Sequence, residues 1–407
     1  MTSVPLPSRI YLDYNATTPV DPAVLDAMLP FLREAFGNAA SAHAFGCEAN
    51  QAVEKARAQV ASLIGADPRE IIFTSGATES DNLAIKGVAQ QYREKGRHII
   101  TAVHEHHAVI DPLHKLESPG TPATPGTPGF DVTWLRPAPA SGGIITADQV
   151  ATALRDDTIL VTIMWANNEI GTINEVHAIG KLCHERGVIF HTDATQAVGK
   201  VPVNVNAANI DLLSASAHKF YGPKGVGFLY VRRKGPRVRL DAQLDGGGQE
   251  RGHRSGTLNV PGIVGLGKAC ELAASHMNQE ATRLAALRAV FEAALLAQVP
   301  GSQVNGNRDQ RLPHTTNISF PGIESEALLA AMPDIAASAG AACTSAQKQA
   351  SHVLRAIGVP DELAHGAVRF SLGRFTTEAE ITRAVERIVE TLRKQPGDAA
   401  SCDVAAE

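Results

Sequence analysis

Ile71-Ile72-Phe73-Thr74-Ser75-Gly76-Ala77-Thr78-Glu79 reads as a strand, a glycine turn and the start of a helix. The residues after it, 79–92, continue as a helix. The same alternation then repeats along the chain. Strands are expected at 98–100, 132–135, 159–164 and 188–190, and helices at 107–117, 146–154 and 176–186. A strand at 210–213 and another at 226–231 close the series. This alternation predicts an α/β fold, a mostly parallel sheet with helices on both faces. In such sheets ligands bind outside the carboxyl ends of the strands.

Upstream of this region, Ile10-Tyr11-Leu12-Asp13 reads as a short strand, and Asn15 to Pro19 as a turn. Asp21-Pro22 is an N-cap residue followed by proline at the first helical position. Val24, Leu25, Met28, Leu29 and Leu32 follow at helical spacing, with Pro30 as a candidate kink. A second helix is expected over 46–64. Downstream of Pro261 the character changes to an Ala/Leu-rich helix over 262–298. A strand at 314–320, a helix at 324–332 and a strand at 367–372 follow. A last helix opens with a Thr377/Glu380 capping box and has an apolar face of Ile381, Val385, Ile388, Val389 and Leu392. The expected organisation is a large domain over 16–262 and a smaller α+β domain built from 1–15 and 263–394. Residues 118–129, SPGTPATPGTPG, are low in complexity and expected as an exposed loop. The polar tail 395–407 is expected to be disordered.

The chain has 407 residues, a formal net charge of -5, 44% hydrophobic and 19% charged residues. No basic excess points to nucleic acid, and no amphipathic basic run points to a membrane surface. The N-terminal twenty residues lack the apolar core of a signal peptide, and no apolar run is long enough to span a bilayer. The five cysteines, Cys47, Cys183, Cys270, Cys343 and Cys402, are scattered. They form neither a disulfide framework nor a zinc pattern, so a reducing cytoplasm is the expected compartment.

Several stretches carry candidate chemistry. The helix start at Ala77-Thr78, with Ser75, offers free N–H groups and hydroxyls to a phosphate, or is simply a capped helix. His104-Glu105-His106-His107 suggests either a metal or one imidazole stacking on an aromatic ligand. Its spacing is not that of a zinc helix. Asn167-Asn168-Glu169 could orient a ring substituent, or form a loop. Asp193 closes an apolar strand and needs a cation or donor there, such as a protonated pyridine nitrogen or a helix N-terminus. Lys219, in Ser216-Ala217-His218-Lys219, follows a strand, where burial would favour a nucleophilic amine. Residues 246–257 combine dense glycine with arginines and end at Thr257. Cys343 sits among small residues, as an exposed nucleophile would, whereas Cys270 lies in the Ala/Leu helix as a core cysteine would. Arg369, on a strand, could grip a carboxylate. A phosphate cradle, an imidazole, an aspartate, a lysine and a carboxylate clamp are what a pyridoxal phosphate site needs.

With these motifs on the page, the chain resembles the cysteine desulfurases of the NifS and IscS kind, in the class V aminotransferase group of fold-type I pyridoxal phosphate enzymes. The resemblance covers roughly residues 9–393. It rests on Tyr11 to Pro19, Thr74 to Ser80, Asn167-Asn168-Glu169, Asp193 to Gln196, Ser216 to Lys219, Arg254 to Thr257 and Arg369 to Arg374. It implies that Lys219 binds the cofactor, that His106 stacks on its ring and that Asp193 pairs with the ring nitrogen. It implies ring contacts from Asn168 and Gln196, and phosphate contacts from Ala77, Thr78, Ser216 and His218. Thr257 would join them from the partner subunit of a homodimer. Arg369, with Asn168, would hold the substrate, L-cysteine, and Cys343 on the smaller domain would take its sulfur as a persulfide. A sulfur acceptor or iron–sulfur scaffold protein would be the partner. Three features depart from the family pattern: alanines and Gly340 precede Cys343 where the family has serines, residues 118–129 are extra, and the tail is short and poor in apolar residues. The competing expectations are another enzyme of the same fold (a selenocysteine lyase or aminotransferase), a non-catalytic sulfur-delivery protein, and a metal hydrolase built on His104 to His107.

Overall fold

A computed structural model of the chain describes residues 9–117, 129–339 and 350–394. Residues 118–128 of the loop expected over 118–129, and the tail at 395–407, lie outside the described residues. The chain begins with β1 (Ile10–Tyr11), α1 (Pro22–Arg33) and α2 (Ala44–Ile64). Asp21 caps α1 by accepting from Ala23 N–H, and Pro30 lies inside that helix. The alternating region follows as β2 (Ile71–Thr74), α3 (Ala77–Tyr92), β3 (His98–Ala102), α4 (His107–Glu117), β4 (Asp131–Leu135), α5 (Ala147–Ala153), β5 (Thr158–Thr162), α6 (Val176–Arg186), β6 (Ile189–Asp193), β7 (Leu212–Ser216) and β8 (Gly227–Val231).

These seven strands form one sheet in the order β2-β8-β7-β6-β5-β3-β4. Pairings from β7 across to β4 are parallel. β8 is antiparallel to both of its neighbours. Alternate side chains feed opposite faces. Val161, Phe190, Leu213 and Phe228 join one apolar cluster. Leu160, Ile189, Leu212 and Leu229 join the other. Both faces are covered, which is why the strands read as apolar runs.

Two differences from the sequence expectation have physical reasons. β7 lies further on than 210–213 because Ser214 and Ser216 are tolerated inside it; Ser214 Oγ meets His191 Nε2 at 3.0 Å. Ile210 is buried before the strand and bonds back to Val205. β2 is an edge strand but is buried, because side chains cover its open edge. Glu250 accepts from Phe73 N–H at 2.8 Å, while Arg57 and Arg251 donate to the Ile71 carbonyl. A covered edge offers no template for pairing with another chain.

Beyond the sheet run α7 (Val260–Gln298), β9 (Gln303–Asn305), β10 (Thr315–Ser319), α8 (Ser325–Ala330), β11 (Ile335–Ala336), β12 (Ser338–Ala339), α9 (His352–Ala356), α10 (Asp361–His365), β13 (Ala367–Ser371) and α11 (Glu378–Lys394). A second, antiparallel sheet has the order β12-β13-β10-β9. Its apolar cluster includes Leu12, Phe291, Phe370, Val385 and Ile388. Thr377 and Glu380 form the expected box at the start of α11. α7 contributes Val260 to Ala273 to the first cluster and Leu284 to Leu295 to the second. Asn15 to Asp21 of the N-terminal strap cross to the Lys219 turn, where Thr18 bonds His218 and Asp21 bonds Tyr221.

Candidate active site

A cleft of about 800 Å³ opens at the carboxyl ends of the large sheet. One wall is the turn from β2 into α3. Gly227 starts β8 directly behind this turn; a Cβ there would lie 2.7 Å from the Gly76 Cα and 2.5 Å from the Ala215 carbonyl. Only glycine lets β8 pack so close. Gly76 has no side-chain cap, so the first N–H groups of α3, at Ala77 and Thr78, face the cleft at the positive end of a sixteen-residue helix. Ser216, at the end of β7, and His218 complete that wall. His218 Nδ1 lies 3.1 Å from Thr17 Oγ1, and burial lowers its pKa to about 4. This wall is rich in donors, as a phosphate requires.

Lys219 sits in the short turn after β7. Its Nζ donates to the carbonyls of Asn15, at 2.6 Å, and Ala16, at 3.0 Å. Asp193 ends β6, 7% exposed, with Oδ1 accepting from Thr195 N–H at 2.9 Å. His106 Nδ1 accepts from Ala108 N–H at 3.1 Å, which leaves the proton on Nε2. Burial lowers the pKa of His106, while Asp193 pulls it the other way. Two further carboxyls stand near Asp193. Asp81 is fully buried on α3, and Glu105 accepts from Met164 N–H at 2.8 Å. Burial, with the charge of Asp193 added, pushes both well above the ordinary carboxylate range. Both are thereby biased toward the protonated acid.

The far wall comes from the smaller sheet. Arg369 on β13 donates through Nη1 to the Asn168 carbonyl at 3.1 Å. Its Nη2 meets Asp13 Oδ1 at 2.7 Å and Ser338 Oγ at 2.9 Å. Its Nε is buried without a partner. Glu169 accepts from Ser351 Oγ at 2.5 Å, and burial raises its pKa to about 7. Asn15 joins the walls, donating to the Asn168 carbonyl and to Thr315 Oγ1.

The structure thus brings Ala77, Thr78, His106, Asn168, Asp193, Gln196, Ser216, His218, Lys219 and Arg369 to one cleft. Thr257 is exposed and does not line the cleft of its own chain. Cys343 lies outside the described residues. The arginines of the glycine-rich loop already have partners, Arg254 on Glu79 and Arg251 on the Ile71 carbonyl. The three histidines of the 104–107 stretch diverge. His104 is buried against the Gly143 carbonyl, His106 faces the cleft and His107 meets Asp111. No group of three potential metal ligands exists among the described residues. Sequence reasoning missed Asn15, Asp13 and Asp81, which all line the cleft.

The sequence matches the family described as aminotransferase class-V over residues 10–384. The chain belongs to the class V aminotransferase family. These enzymes use pyridoxal phosphate, and the cleft fits it. It has free helix-start donors at one end, the Asp193 carboxylate at another and a primary amine between carbonyls. Among curated relatives, the chain is 54% identical to cysteine desulfurase IscS of Anaeromyxobacter dehalogenans (strain 2CP-C), over 95% of this chain and 93% of the relative. It is 52% identical to cysteine desulfurase IscS of Neisseria meningitidis serogroup C (strain FAM18), over 95% and 92%. Among solved structures it is similar to a NifS-like protein, with a TM-score of 0.86 and 38% identity over 95% of this chain and 99% of that one. It is also similar to SspA in complex with cysteine, with a TM-score of 0.77 and 38% identity over 90% and 100%.

Proposed function

We propose that this chain is a pyridoxal phosphate-dependent L-cysteine desulfurase, yielding L-alanine and passing the sulfur through a persulfide on Cys343 to acceptors, for iron–sulfur cluster assembly or related sulfur delivery. The observation that carries the reading is the convergence of Lys219, Asp193, the open start of α3 and Arg369 on one cleft, in a chain about half identical to named desulfurases. Bound there, the cofactor supplies the electron sink that labilises bonds at the substrate's α- and β-carbons.

The chain's own residues do the rest. Ala77 and Thr78 N–H, with Ser216 and His218, hold the phosphate. Asp193 keeps a proton on the ring nitrogen, and His106 covers the ring. Arg369, which lines the cleft, takes the substrate carboxylate. Lys219 moves the proton at the substrate α-carbon. Cys343 thiolate bonds to the substrate sulfur as the carbon–sulfur bond breaks; the electron pair stays on carbon, which is protonated to give alanine. β12, which leads into residue 340, lines the cleft through Ser338 and Ala339.

The working molecule is taken as a cytoplasmic homodimer in which Thr257 serves the partner's phosphate site. In support, Phe36 and Phe45 are 72% and 53% exposed, with rings 5.8 Å apart, and Leu25 and Leu32 are exposed on α1. No described helix is long and apolar enough to cross a membrane. The large sheet unit and the smaller sheet unit are taken as the two domains, meeting within α7.

The test is Cys343→Ser. The variant should bind pyridoxal phosphate and respond spectrally to L-cysteine, yet release almost no sulfide. Mass spectrometry of cysteine-treated wild type should find one added sulfur on the Cys343 peptide. Sulfur on another cysteine, with Cys343→Ser fully active, would overturn the assignment. A keto-acid product in place of sulfide would turn it toward an aminotransferase.

A further inference from the structure

Tyr221, two residues beyond Lys219, holds a backbone conformation that bulky side chains rarely adopt, with φ +69. Such a conformation persists only where the surroundings over-determine it. Here they come from two distant stretches. From the N-terminal strap, Thr18 Oγ1 accepts from Tyr221 N–H at 2.8 Å, and Asp21 N–H donates to the Tyr221 carbonyl at 3.0 Å. From the end of β13, Arg374 N–H donates to the Tyr221 hydroxyl at 2.6 Å, and the Arg374 guanidinium lies 4.3 Å from the centroid of the Tyr221 ring. The same guanidinium donates through Nη1 to Asp21 Oδ2 at 2.6 Å and through Nε to Glu280 Oε1, on α7, at 2.5 Å. Arg374 is not among the residues lining the cleft, and the proposed chemistry gives it no task. We propose that Arg374 is a positioning residue for Lys219, clamping Tyr221 so that the turn after β7 aims the lysine amine into the cleft.

A long, flexible side chain is only as well placed as its backbone. A flexible stem separates the Lys219 amine from its Cα, so a small tilt of the turn is magnified at the amine. The turn is compact, with Phe220 N–H and Gly222 N–H both donating to the Ala217 carbonyl, at 3.1 and 3.0 Å. A change of φ at Tyr221 therefore pulls on the segment that carries Lys219. The side chains of Arg374, Asp21 and Glu280 are 15%, 13% and 19% exposed, so salt screens these pairs little. A planar fork suits the place, because it pairs two carboxylates while its flat face covers an aromatic ring. Removing the guanidinium uncovers the Tyr221 ring and takes from Asp21 and Glu280 the cation they share. Tyr221 is then free to relax toward the ordinary negative φ. Arg374 also belongs to the stretch that carries Arg369. Between them, a Cβ on Gly373 would lie 2.1 Å from the Tyr14 ring, so this stretch is packed tightly on the strap. The clamp thus ties the strand bearing Arg369 to the turn bearing Lys219.

The inference rests on Lys219 being the cofactor lysine, and the test separates the two. Full-length chain freed of cofactor is mixed with saturating pyridoxal phosphate and quenched with borohydride at timed intervals. Peptides carrying the reduced pyridoxyl group are followed by mass spectrometry. Binding of pyridoxamine phosphate, which has no aldehyde to react with an amine, is measured alongside by equilibrium titration. In Arg374→Met, confirmed folded by its thermal melt, capture on the Lys219 peptide should slow by about tenfold or more. Pyridoxamine phosphate should bind within about threefold of wild type, because Ala77, Thr78 and Asp193 are untouched. Arg374→Lys keeps the charge without the fork and should behave as Arg374→Met; it serves if the methionine variant does not fold. Capture at the wild-type rate in either folded variant overturns the proposal. So does a parallel loss of capture and of pyridoxamine phosphate binding, which would make Arg374 a general support of the cleft. Failure of the underlying reading has a different signature, which is wild type captured on a lysine other than Lys219.

Discussion

At the scale of single residues, the cleft is governed by which buried groups keep their protons. Asp81 and Glu105 are pushed up and His191 is lowered to about 4, each chiefly by burial. Glu169 titrates within the working range, because burial lifts it from 4.5 to about 7 against the opposing pull of Ser351 and Arg369. In the folded state it holds a proton that the unfolded chain gives up above pH 4.5. Its contribution to stability is therefore full below 4.5 and lost as pH rises through about 7. Glu169→Gln can still accept from Ser351 and does not titrate. The variant should gain on wild type as pH rises from 5 to 8, by an amount on the order of 3 kcal/mol. Denaturant unfolding at the two pH values measures the gap, which also cancels the other titrating groups. A gap that stays constant with pH would show that Glu169 is charged throughout.

At the scale of elements, the device that fixes the cleft wall at the start of α3 is the covered edge of β2. Glu250 is buried with φ +47, in a left-handed conformation that side chains rarely adopt. Its carboxylate holds Arg57 through both oxygens, each at 2.8 Å, and Phe73 N–H as well. The Arg57 guanidinium in turn stacks over the Phe73 ring, 4.6 Å from its centroid. One side chain thus ties the glycine-rich loop to the strand that feeds Gly76. Glu250→Ala should strand a buried guanidinium and an edge N–H together. A loss of about 3–5 kcal/mol is expected, together with faster proteolytic cleavage within 246–257. Thermal unfolding and timed proteolysis check both. A variant as stable as wild type would mean that water replaces the carboxylate.

At the scale of the whole molecule, the apolar residues left outside are as informative as the core. Phe36 and Phe45 stack against each other in solvent near the start of α2, and Leu25 and Leu32 lie a heptad apart on α1. In the proposed homodimer this apolar surface would be covered. Sedimentation of the wild type should give about twice the 42.9 kDa chain mass. The double substitution Phe36→Glu, Phe45→Glu should shift the mass toward that of one chain. If Thr257 serves a partner's phosphate site, the same variant should bind pyridoxal phosphate more weakly. An active wild-type monomer would remove both expectations.

The sequence by itself determined the alternation of strands and helices, the change to an α+β pattern after Pro261 and the residue types of the cleft. These are local signals: apolar runs such as Ile71-Ile72-Phe73, caps such as Asp21-Pro22 and Thr377/Glu380, and polar residues at strand ends such as Asp193 and Lys219. Each is written within a few neighbouring positions, so periodicity and capping reveal it. Only the tertiary structure decided that β8 runs antiparallel between β2 and β7, because β2, its partner on one side, lies far upstream in the chain. It alone placed Asn15 against Lys219, 204 positions away, and Arg369 against Asp13, 356 positions away. It also buried Asp81 and Glu105, which favours their protonated forms, and made Glu250 an anchor. A carboxyl's charge depends on the water and partners around it, and those are set by packing rather than by its neighbours in sequence.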